Sequence, residues 1–291
     1  MPEFVLPEVI DDFLFTYQNL VYSLGIHGLL ALSMYVVLAV GQLSLGQAAF
    51  MGLGAYASAL LTLKLGWSLP AALAGAMLIP AAAALIIGSP TLRLSGVYLA
   101  LATIGLGEVQ RLAFVNSDFT GGALGLSGIP TKAGLVSIYG SLLVALVLLV
   151  LVARSKIGRA MEAMREDELA AGALGINLPA YKLGALVASA MLAGLAGGLN
   201  AHVSSFISPN DYGFDAAVTI LSFALLGGLG SPFAPILGAV ILTLLPEVLR
   251  SLANYRGLVS GSIIVIAVMF MPRGLLIWRM GRIGVSSRRP S

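Results

Sequence analysis

The feature that most limits what this chain can fold into is a set of long stretches without charge. Between Lys132 and Arg154 there is no Asp, Glu, Lys, Arg or His, and the stretch ends in SLLVALVLLVLVA. Runs of this kind approach the ~20 residues that an α-helix needs to cross a bilayer. They are continuous rather than alternating, which argues against a membrane β-barrel. Of 291 residues 58% are apolar and only 10% charged, against about 25% charged in an ordinary soluble domain. The expected fold class is an all-α integral membrane protein. It is a polytopic bundle of about nine transmembrane helices, a single transmembrane domain over residues 1–291. The spans read as 20–40, 47–63, 69–87, 97–115, 136–152, 183–203, 216–232, 234–250 and 257–272, with the seventh and eighth short or broken.

Charge sets an expected orientation. Of 16 Lys and Arg, five fall in 153–182 and five in the tail from Arg273. Cytoplasmic segments gather such residues, and the four spans between these two segments put both on one side. That side is the cytoplasm, with the acidic N-terminus MPEFVLPEVIDD outside and uncleaved, because it carries no basic n-region. Loops 116–135 and 204–215 then lie outside too. Their Gly, Pro, Asn and Asp content suits either a docking surface or ordinary turns. The basic tail, 273–291, is expected to touch anionic lipid on the cytoplasmic leaflet.

The stretch GQLSLGQAAF (Gly41–Phe50) contains Gly41-x4-Gly46, the outline of a phosphate-binding loop. Such a loop also needs Lys and then Ser or Thr after its second glycine. Gln47 and Ala48 stand there instead, so direct nucleotide hydrolysis is excluded. The segment is read as a membrane-embedded helix break at the cytoplasmic end of the first span, with Gly41, Gln42, Ser44, Gly46 and Gln47 as break or pathway candidates. GGLGSPFAP (Gly227–Pro235) forms a similar turn later in the chain. Each follows Leu-Ser and precedes Gly-Ala, which hints at an internal repeat of the kind common in transporters; helix-ending turns alone would give the same pattern.

No cysteine is present, and His27 and His202 have no carboxylate at ligand spacing. Thiolate sites, disulfides, zinc signatures and hydrolase elbows are therefore absent from the sequence. A membrane enzyme would need a cluster of catalytic groups, and none is visible. A self-sufficient ion-coupled transporter would expose midplane carboxylates on broken helices; only Glu108 and Glu247 qualify.

Segment 153–182 carries the most information. Residues 157–174 read as one helix of about five turns, with Ile157, Met161, Met164 and Ala171 on one face. Arg159 with Glu162, and Glu162 with Arg165, are opposite charges three apart on the outer face. Gly175 serves as a C-cap, and Leu178-Pro179 starts the next span. The acids of Arg165-Glu166-Asp167-Glu168 disfavour lying flat on anionic lipid and favour a protein partner.

IGRAMEAMREDELAAGALGI resembles the coupling loop of permease subunits in ABC importers. Glu168-x-Ala170-Ala171-x3-Gly175 is similar to the Glu-Ala-Ala…Gly signature that docks in a groove of the ATP-binding subunit. Leu169 interrupts it, which brings the sequence nearer the permeases of branched-chain amino-acid importers, of the LivM-like kind. GQLSLGQAAFMGLGAYASALL, GVYLALATIGLGEVQR (which contains Thr103), TGGALGLSGIP, SPNDYGFD and LGGLGSPFAPILGA resemble the same branch, in order, from Gly41 to Leu249.

The resemblance implies half of a translocation pathway in a bacterial inner membrane. The partners it implies are a second homologous permease, two cytoplasmic ATP-binding subunits, an extracytoplasmic substrate-binding protein and membrane lipid, with no nucleic acid. No cofactor is bound by this chain; ATP and Mg belong to the partner ATPases. Arg159, Glu162, Arg165, Glu166, Asp167, Glu168 and Gly175 would couple to them. Leucine, isoleucine and valine are the implied cargo, with urea, short amides or other amino acids as alternatives. Thr103, Glu108 and Arg111 are further pathway candidates, the last two expected to face the subunit interior as a pair. Ala190, Gly194 and Gly198, in four-residue steps, form a small-residue stripe for close packing within the chain or at a seam between permeases.

Overall fold

In the computed structural model residues 8–248 are described, apart from 92, 93 and 95, with the side chains of 8–16, 246 and 248 also outside the description. The expected ninth span, the basic tail and residues 1–7 lie outside the described residues. Ten α-helices follow in order: α1 (Glu8–Leu38), α2 (Gln47–Leu65), α3 (Leu69–Thr91), α4 (Val97–Val115), α5 (Leu135–Arg154), α6 (Lys156–Glu166), α7 (Glu168–Ala173), α8 (Leu178–Ser204), α9 (Phe214–Gly227) and α10 (Phe233–Val248). Six of them, α1 to α5 and α8, are long and apolar enough to cross a membrane. α9 has 14 residues, about 21 Å of helix and short of the ~30 Å hydrocarbon layer; α10 has 16 described residues.

α8 is the central helix, packed against α1, α2 and α3. Lipid supplies no hydrophobic drive between helices, so close packing needs small residues. A Cβ on Gly54 of α2 would run into the Gly194 backbone of α8, and one on Gly194 into the Ala76 carbonyl of α3. Gly198 faces Ala76, Leu73 and Ser58, and Ala190 is fully buried. The small-residue stripe thus lies between α2 and α3 of the same chain. Pro80, inside α3, packs at the same crossing.

α5 lies outside α1, and α4 outside α2. α9 and α10 form a hairpin against α1, closed by Gly227 against the Ala234 carbonyl and Gly238 against the Phe223 carbonyl. His27 of α1 bonds Thr243 of α10 at 2.8 Å.

α6 and α7 sit at one end of the bundle. At the other end, the long loops after α4 and α8 are tied together. Two short strands, β1 (Leu126–Ser127) and β2 (Phe206–Ile207), pair antiparallel. His202, fully buried, bonds Ser58 (3.0 Å) and the Pro130 carbonyl (2.9 Å). The tied parts of the two loops expected on a common side, 126–130 and 205–207, therefore share one end of the molecule, opposite α6 and α7.

Candidate functional site

The segment expected to form one helix from 157 to 174 is two helices. Asp167 is extended (φ −152°, ψ 105°), and its carboxylate accepts from the Ala170 amide at 3.0 Å to cap α7. Aspartate favours this cap because its side-chain oxygen satisfies an amide that a helix start leaves open. The expected apolar face survives in part: Met164 and Ala171 are buried in a cluster with Val36 of α1, Val40 just after it and Ala185 of α8, Met161 is half-buried against them, and Ile157 is 51% exposed. α7 ends in a Schellman motif. The amides of Ile176 and Gly175 donate to the carbonyls of Ala171 and Gly172, at 3.2 and 3.0 Å, and Gly175 takes φ +85°, which suits glycine best.

Docking of the apolar face leaves the charged residues at the surface. Arg159, Glu162, Glu166, Asp167 and Glu168 are exposed, as is Leu169 at 87%. The Glu168 carboxylate pairs with Lys182, whose side chain is only 10% exposed on the first turns of α8. Lys182 had counted only as one of the loop's basic residues in the sequence. Its spacing three and seven residues before Ala185 and Ser189, both buried, is the signal that it faces inward.

Arg165 does not extend outward with the other charges. Its Nη1 donates to the Leu229 carbonyl at 3.1 Å, in the turn between α9 and α10. Its Cα lies 3.5 Å from where a Cβ on Gly41 would be. One residue of α6 therefore touches both helix breaks, 39–46 and 228–232.

The first break carries α2 back into the bundle. Gln47, the first residue of α2, donates from Nε2 to Ser189 Oγ at 3.2 Å, and Ser33 of α1 donates to the Ser189 carbonyl at 2.9 Å. Ser189 lies near the middle of α8, so α2 begins about halfway through the bundle. Thr103 of α4 accepts from the Leu45 amide at 2.9 Å, and Ser44 Oγ accepts from the Gly46 amide at 3.3 Å. Gln42 and Gln47 are buried, and the side-chain oxygen of each has no hydrogen-bond partner among the described residues. Buried amide oxygens in this state are normally met by water or an ion.

Glu108 and Arg111 form a bidentate pair on α4, with Arg111 Nε 3.0 and 3.1 Å from the two carboxylate oxygens. Arg111 Nη1 also donates to Asn210 at 2.9 Å. The expectation that they face the interior of the subunit does not hold. Their side chains are 47% and 25% exposed on the outer side of α4, because the inner side is taken by Thr103 and Gln110, which bond the α1–α2 break and the Ala49 carbonyl. Beside them is a hollow lined by Ala48 and Ala49 of α2, Glu108 of α4, and Gly213 and Phe214 at the start of α9. Among the described residues no group of three or more His, Cys, Asp or Glu is arranged to hold a metal ion.

Residues 16–268 match the family described as the branched-chain amino acid transport system permease component. The chain belongs to this family. The permease is 37% identical over 302 residues to the high-affinity branched-chain amino acid transport system permease protein LivM of Salmonella typhimurium, covering 92% of this chain and 69% of that protein. Against LivM of Escherichia coli K12 it is 35% identical over 313 residues, 94% and 71% of the two chains. LivH of E. coli K12, a permease protein of a high-affinity branched-chain amino acid transport system, is 33% identical over 137 residues, 46% of this chain and 44% of its own. No solved structure matches. This permease is a multi-pass membrane protein and a transport component, which agrees with its six apolar helices.

Proposed function

We propose that this chain is one of two homologous permease subunits of an ATP-driven importer. Together they would form a path for leucine, isoleucine and valine across a bacterial inner membrane, with the ATPase work done by two cytoplasmic partner subunits and cargo delivered by an extracytoplasmic binding protein. The substrate in the names of the LivM and LivH relatives supports the cargo. The observation that carries the mechanical part is Arg165, which bridges from the segment of exposed charges to both helix breaks. A push on α6 and α7 would reach the start of α2 and the α9–α10 hairpin through this residue. Exposed Leu169 and Leu174 beside Glu166 and Asp167 provide an apolar and acidic patch for an ATPase groove. In this reading α6 and α7 are cytoplasmic, the tied loops are outside and serve the binding protein, and Glu108 with Arg111 borders the path.

The test is uptake by the assembled complex in proteoliposomes. Leu169→Glu is expected to lower leucine uptake at least tenfold and to weaken retention of the ATPase subunit. Undiminished ATP-driven uptake by that variant would overturn the coupling role of α7. Uptake by this chain alone, without ATP and under an ion gradient, would instead favour an ion-coupled transporter.

A further inference from the structure

The outward surfaces of the long helices differ in kind. Along the middle of α5 the exposed residues are Leu143, Val144, Val147, Leu148 and Leu151, within a segment free of charge. On α3 they include Leu78, Ile79, Leu85 and Ile86. Acyl chains suit both faces. α4 and α9 lie side by side, and their shared outer face is not of this kind. Glu108 stands on it in a stripe with Leu101, Gly105 and Leu112, its Arg111 partner beside it. Asp215 and Thr219 are exposed on α9 next to Val218.

These polar groups lie deep. The residue preceding Asp215, Phe214, borders a hollow with Ala48 and Ala49, one turn into a helix whose first residue bonds the middle of α8. Acyl chains offer neither hydrogen bonds nor counter-charge, and ionisable groups at such depth face protein or an aqueous path.

We propose that the α4–α9 face is the seat of the second permease subunit, while the α3 and α5 faces meet lipid. Glu108 and Arg111 offset one another, so the strip is left with the negative charge of Asp215, joined by exposed Asp211 in the 209–212 turn that packs on both helices. The partner's facing surface is accordingly a membrane helix that presents a basic or hydrogen-bond-donating residue opposite Asp215. This assignment rests on the two-permease reading above and adds which side of the chain is used.

The experiment is photo-crosslinking in the full complex, co-produced with its second permease and irradiated in membranes. p-Benzoylphenylalanine replaces Leu101, Val109 or Val218 on the proposed face, and Leu143 or Leu148 on α5. All five positions are exposed, so folding is not at stake. The first three are expected to give adducts with peptides of the second permease, and the two α5 positions adducts with lipid alone. Asp215→Arg is expected to abolish the Val109 adduct while the chain still inserts. Permease adducts from α5 with lipid adducts from α4 and α9 would overturn the face assignment and leave the two-permease reading standing. Adducts to a second copy of this chain would overturn the choice of partner. Failure of any second permease to co-purify would overturn the reading on which this rests.

Discussion

Lys182 and Glu168 form an ion pair with unequal ends. The Lys182 side chain is 10% exposed and the Glu168 side chain 47%. Removing the carboxylate strands a buried ammonium, whereas removing the ammonium lets a carboxylate turn to water. Glu168→Gln is therefore expected to destabilise more than Lys182→Met, by about 1–3 kcal/mol, the penalty for a buried group left unpaired. Thermal melting of the detergent-solubilised complex measures the difference, and equal shifts would count against this account. The pair also shows the limit of reading residues from sequence. Glu168 stood out in the sequence through its motif, but its partner 14 positions on was hidden among loop cations. Glu108 and Arg111 were legible as a pair because three-residue spacing on a helix puts them on one face. Which way that face points depends on α2, and nothing local encodes it.

At the level of elements, the α6–α7 break was misread because the apolar spacing is continuous across it. Met164 and Ala171 share a cluster, and a seven-residue step fits one straight helix equally well. The competing signal was Asp167, a good cap three residues before Ala170, obscured by the acids on either side. The most direct test of the device is Arg165, whose guanidinium holds the Leu229 carbonyl. Arg165→Met is expected to leave basal ATPase activity of the complex within about twofold and to lower leucine uptake at least tenfold. Arg165→Lys should recover little, since a point charge on a flexible stem does not reproduce a planar, pre-organised donor. If both variants transport normally, the contact is only packing. The spans themselves were well legible: α4 occupies 97–115 as expected, and α2 begins at the expected residue. The turn between α9 and α10 was visible as glycine and proline near 227–235, but the depth at which α2 and α9 begin was not, because it is set by contacts with Ser189 and Ala49.

For the whole molecule, the two ends can be told apart by labelling, since the chain has no cysteine to interfere. Leu124 is 85% exposed at the end with the tied loops, and Leu169 87% exposed at the other. In intact cells Leu124→Cys is expected to react with a membrane-impermeant maleimide, and Leu169→Cys only after permeabilisation. The reverse pattern would invert the charge-based orientation. One further consequence follows from the glycine crossing of α2, α3 and α8. Gly54 against Gly194, and Gly194 against Ala76, put main chain directly on main chain, with no side chains between them to flex or swap rotamers. Sliding one of these three past another would drive backbone atoms together, so the trio behaves as a stator. Shape change during a transport cycle is then expected in the parts outside the trio: α4, which lies against α2, and α5 and the α9–α10 hairpin, which pack mainly on α1.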